Sequence, residues 1–172
     1  MVMVIGMKKY IFLMIMVGLF MCGCKTPIES LDEFVGEPIY EFEMIPDLGL
    51  QTVSEVMVWV ADYVQYQSDA IHYPASEYWQ SPAQTYVWRT GDCEDFSILA
   101  MYLIYRDVLK TPRMMAGTLF DDPHAWVEVD EQWWEPQEGV EVTDWPGYVV
   151  KYSVSYAEAI ERSTTVHKVV AE

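Results

Sequence analysis

Gly91-Asp92-Cys93-Glu94-Asp95-Phe96-Ser97 is the stretch on which the fold turns. A glycine breaks the preceding segment, three carboxylates surround one cysteine, and a long apolar run follows. Phe96, Leu99, Ala100, Leu103 and Ile104 recur on one helical face, while Ile98, Met101 and Tyr102 fill another. A helix apolar on most sides belongs in the middle of a fold. The spacing predicts that it begins at Asp92 or Cys93, with Glu94 and Asp95 complementing its N-terminal dipole. It should end near Leu109, before Thr111-Pro112.

Working upstream, Thr52-Val53-Ser54-Glu55 reads as a capping box, and Val56, Trp59, Val60, Tyr63 and Val64 repeat at helical spacing, predicting a helix over 53–68. Ser81-Pro82 opens a short helix over 82–88, with proline in the first turn. Downstream, residues 113–120, 124–129 and 133–136 read as strands, the last two joined by a tight turn at Asp130-Glu131-Gln132. Residues 149–154 add an edge strand and 156–162 a terminal helix. The fold class is therefore α+β.

The thiol carries the chemistry. A helix start favours thiolate, whereas Asp92, Glu94 and Asp95 oppose it. A histidine accepting the proton resolves the conflict. Of three histidines, His72 lies in a proline-flanked irregular segment and His167 near the C-terminus. His124 opens a strand in His124-Ala125-Trp126. A two-residue turn at Asp130-Glu131 pairs residues whose numbers sum to 261, which sets His124 opposite Gln137. Side chains alternate along a strand, so Glu135 and Gln137 share the face of His124. Glu135 is the better orienting group, because a carboxylate also stabilises the imidazolium. A one-residue slip would bring Glu138 instead.

These three stretches, with Trp134-Glu135-Pro136 as the third, resemble the motifs of the transglutaminase-like superfamily over roughly residues 52–140. Tyr78-Trp79-Gln80-Ser81-Pro82 is similar to the lead-in of its bacterial cysteine proteinases. The resemblance implies a papain-like core, with a central cysteine-bearing helix packed on a small antiparallel sheet. It implies a catalytic group of Cys93, His124 and Glu135, although the family has Asp at the last position. It further implies calcium held by the acids beside the cysteine, Asp92 and Glu94. The backbone N–H of Cys93 is the expected oxyanion donor, with Trp88 or Gln84 as a second.

The N-terminus and the charge complete the reading. Lys8-Lys9 precedes an apolar run over 10–21 that ends in Met21-Cys22-Gly23-Cys24. This resembles a lipoprotein signal cut before Cys24, which would carry the lipid. The expected organisation is a signal peptide over 1–23, a tether and lead-in over 24–50, and the catalytic domain over 51–172. Cys93 then remains as the one free thiol of the mature chain, and an internal disulfide is excluded. The chain carries 27 acidic and 10 basic residues, a net charge of -17. Such a surface disfavours nucleic acid and anionic headgroups and attracts cations. The membrane contact expected is the lipid.

The sequence thus predicts a lipid-anchored cysteine hydrolase of the bacterial cell envelope, acting on amide bonds of protein or peptide. Isopeptide-forming acyl transfer, and cation or protein binding without turnover, are the competing readings.

Overall fold

A computed structural model describes residues 44–69, 78–143 and 146–164, all within a unit spanning Glu37–Glu172. The signal segment, the lipobox with Cys24, His72 and His167 lie outside the described residues. Among those described, no helix is long and apolar enough to cross a membrane.

Helix α1 spans Val53–Tyr63. The Thr52 side chain accepts from Glu55 N–H while the Glu55 carboxylate accepts from the N–H of Thr52, closing the predicted box. The helix is shorter than its periodicity predicts. After the cap at Val64 the chain turns extended, and β1, Gln65–Tyr66, pairs in parallel with β2, Thr90–Gly91. That long-range pairing overrides the helical pattern of residues 64–68. Helix α2 covers Pro82–Trp88, with Ser81 and Gln84 exchanging capping bonds, and ends at Arg89 in the left-handed conformation.

Helix α3, Cys93–Leu103, is the centre of the molecule. Ile98, Leu99, Ala100, Met101 and Leu103 are fully enclosed. It runs on into one π-helical stretch, Ile104–Val108, and stops at left-handed Leu109. Five antiparallel strands follow: β3 Arg113–Leu119, β4 Asp122–Val129, β5 Gln132–Glu135, β6 Val140–Val142 and β7 Tyr148–Ser155, in the order β6-β5-β4-β3-β7. The last element among the described residues is α4, Tyr156–Thr164. The sheet packs Met114, Ala125, Val127 and Val129 against α3, giving the α+β layering expected: a cysteine-bearing central helix on an antiparallel sheet. Burying a large aliphatic side chain contributes roughly 1.5–3 kcal/mol. This shared interface therefore fixes α3 against β4 more firmly than any single polar contact.

The packed body begins before the boundary at residue 51. Ile45 is 4% exposed and joins the core cluster, and Arg106 donates to the carbonyls of Ile45 and Pro46. The apolar Ile45 lies among scattered acids and prolines without a period, so its burial has no local sequence signal.

Candidate active site

The register of the β4–β5 hairpin follows from its turn. Asp130 and Glu131 both adopt positive φ, as a two-residue turn matched to strand twist requires. Val129 pairs with Gln132, Glu128 with Trp133 and Val127 with Trp134, each sum being 261. The ladder stops there. Strand β5 ends at Glu135, and the chain turns away over residues 136–139 through Gly139 at φ 71°. Gln137 therefore does not face His124 across the hairpin. Its backbone N–H instead donates to Glu135 Oε1 at 3.2 Å, while Glu138 N–H donates to the Glu135 carbonyl.

Glu135 is 2% exposed and points at the imidazole: His124 Nε2 and Glu135 Oε2 are 2.6 Å apart. A second donor, the Tyr148 hydroxyl, meets the same Oε2 at 2.8 Å. The His124 ring stacks over Trp126, with centroids 6.1 Å apart. With Nε2 engaged by the carboxylate, Nδ1 is the nitrogen left for proton transfer.

Cys93 is the first residue of α3 and half-buried. Its sulfur accepts from the backbone N–H of Ala125, the neighbour of His124 on β4. The thiol donates to Glu94 Oε2 at 2.9 Å. Burial pushes the thiol up, the Glu94 charge and this hydrogen bond push it further, and Asp92 adds to both. The Ala125 N–H opposes them. All of these but the Ala125 N–H favour the thiol over the thiolate.

The acids around it form one connected group. Oxygens of Asp69, Asp92 and Asp95 lie within 4.8 Å of one another, and Asp92 and Glu94 likewise approach the sulfur. Burial raises Asp92 to about 9, helped by Glu94 and Asp95. Asp95 is raised to about 8 by burial, against donation from the backbone N–H groups of Gln80 (2.8 Å) and Asp92 (3.2 Å). Asp95 thereby ties the segment before α2 to the first turn of α3. A Cβ on Gly91 would stand 2.5 Å from the Asp95 Cβ, so this tie requires glycine there. Asp69 is likewise raised by burial, against donation from Tyr78 N–H.

Two side chains escaped the sequence reading, Asp69 and Tyr148, while Asp95 reads as a charge beside the thiol but not as the acceptor that ties Gln80 to α3. Asp69 is drawn to Asp92 by tertiary packing, and one acid in an acidic chain carries no local mark. Tyr148 reaches Glu135 only through the pairing of β7 with β3. Gln84 is used elsewhere: its Oε1 closes the α2 capping box and its Nε2 donates to the Tyr78 hydroxyl. Trp88 is largely exposed. The N–H of Cys93, at the first helical position, has no intrahelical acceptor.

No protein-family model matches the chain, and no curated protein matches it. Solved structures do. LapG of Legionella pneumophila matches with a TM-score of 0.48 and 21% identity, over 59% of this chain and 62% of that one. Its calcium-bound form matches with a TM-score of 0.45 and 20% identity, over 59% and 62%. A protein of Cytophaga hutchinsonii, provisionally assigned as a cysteine protease, matches with a TM-score of 0.47 and 21% identity, over 71% of this chain and 43% of that one. The chain thus spans less than two thirds of the length of either relative.

Proposed function

We propose that the protein is a lipid-anchored cysteine hydrolase of the bacterial cell envelope that cleaves amide bonds in a protein or peptide. The observation that carries this reading is the 2.6 Å contact of His124 Nε2 with Glu135, on the strand whose Ala125 N–H meets the Cys93 sulfur. The transglutaminase-like order of the three motifs supports it, as does the expected lipobox at Cys24.

In this mechanism His124 Nδ1 takes the Cys93 proton as the sulfur attacks the substrate carbonyl carbon. Glu135 holds the imidazole in orientation and compensates the charge it gains. The oxyanion draws on the Cys93 N–H and the start of α3. His124 returns the proton to the departing amine, leaving a thioester. It then deprotonates a water, whose attack releases the acid and restores the thiol.

The surrounding carboxylates fit a calcium ion. They are hard oxygen donors from Asp92, Glu94, Asp69 and Asp95, and Asp92 Oδ1 is a buried acceptor with no hydrogen-bond partner. Asp92 and Glu94, with Asp69 and Asp95 beside them, would hold it. A bound cation supplies positive charge where acids now stabilise the protonated sulfur.

An acyl probe that reacts with thiols should label the wild type and not Cys93→Ala, with both proteins melting alike. Equal labelling of the two would remove the nucleophile from the reading. Adding a fluorescent amine to glutamine-bearing proteins separates hydrolysis from acyl transfer, since incorporation requires the amine to outcompete water.

A further inference from the structure

We propose that Tyr148 is a positioning residue of this site, its hydroxyl fixing the carboxylate of Glu135 in the plane that orients His124. The inference rests on the hydrolase reading above and deepens it. A glutamate has one more torsion than an aspartate, and its terminal torsion is broad and roughly two-fold. Burial alone does not fix such a carboxylate. Three donors do so here: His124 Nε2 and the Tyr148 hydroxyl converge on Oε2, and Gln137 N–H takes Oε1. Two of them come from neighbouring stretches of the chain, β4 and the turn after β5. Tyr148 arrives from the far edge of the sheet and adds a contact from an element distant in sequence.

Tyr148 is itself held. Its ring stands edge-on to Trp126 at 4.8 Å and tilts against His124 at 6.0 Å. Its backbone pairs with Leu119 at the end of β3. The preceding residue, Gly147, accepts from Phe120 N–H at 3.0 Å, and a Cβ on Gly147 would lie 2.7 Å from the Phe120 ring. The β3–β4 turn therefore clamps the residue that precedes the hydroxyl-bearing ring. Burial, followed by the Glu135 charge, raises the phenol, so it remains a protonated donor across the physiological range.

Tyr148→Phe keeps the ring and removes only the oxygen. Two readouts apply. In steady-state kinetics, kcat should fall about ten-fold while KM is retained, as expected when a general base loses its alignment. In proton NMR without substrate, the downfield imidazole N–H resonance of the His124–Glu135 pair should move, while the melting temperature stays close to wild type. Gly147→Ala, which displaces Tyr148 without altering it, should move the same resonance. An unmoved resonance in Tyr148→Phe, or a kcat equal to wild type, overturns the proposal and leaves the ring as packing alone. If the wild type cleaves no peptide, the hydrolase reading fails, and the resonance still decides whether the hydroxyl positions Glu135.

Discussion

Gly117 on β3 and Val149 on β7 approach so closely that a Cβ on the glycine would run into the Val149 carbonyl. Gly117 pairs with His124 on its other side, and the β3–β7 register shifts between Ala116 and Gly117. The irregularity thus lies one strand from the imidazole, in the same β3–β7 pairing that sets Tyr148 opposite Leu119.

Gly117→Ala should therefore cost about 2–4 kcal/mol, since backbone and not a flexible side chain occupies the space. Chemical denaturation measures it. A loss below about 0.5 kcal/mol would mean that β7 moves aside freely.

Glu135→Gln keeps the volume and removes the charge. The expected result is a fall in kcat/KM of about 10²–10⁴-fold, in the range seen when a triad carboxylate is neutralised. Glu135→Ala should in addition lower stability by roughly 1–3 kcal/mol, because it removes a buried carboxylate that meets His124 and the half-buried Tyr148 hydroxyl. Peptide hydrolysis and thermal melting separate the two effects.

The acid cluster makes stability depend on pH in a defined direction. Asp92 and Asp95 titrate near 3.8 when unfolded and at about 9 and about 8 when folded, so the folded state binds more protons in between. Their contribution is fully present below pH 4 and is lost as pH rises through 8 to 9. In chelator the melting temperature should therefore fall between pH 6 and pH 9. Calcium should reverse the fall, since a cation replaces the protons. A melting temperature that rises with pH in chelator would contradict the cluster as described.

Asp95→Ala should unfasten the segment before α2 from α3. Two backbone N–H groups, those of Gln80 and Asp92, would lose a buried acceptor, at roughly 1–3 kcal/mol. Hydrogen exchange at those amides should accelerate more than exchange in the sheet.

Much of the architecture was legible because it is local. The capping pair Thr52/Glu55 and the proline at position 82 marked two helix starts, and Asp130-Glu131 set the hairpin sum that brings Glu135 to the face of His124. What the sequence hid is non-local. Residues 65 and 66 continue a helical pattern yet pair with 90 and 91, and three-residue β6 is too short to show alternation. Gln137 seemed to face His124 only because the strand was extended past Glu135, where Gly139 turns the chain. Asp69 and Tyr148 reach the site through packing between elements distant in sequence, which no window of residues records, and the bond Asp95 accepts from Gln80 N–H is hidden for the same reason.

Arg106 grips the carbonyls of Ile45 and Pro46 from the π-helical end of the same rod that carries the sulfur at its opposite end. The lead-in is thus fastened to the far end of the rod whose near end presents the thiol, and Ile45 itself sits in the core. A version cut at residue 51 would discard the handle and leave a guanidinium without its two acceptors.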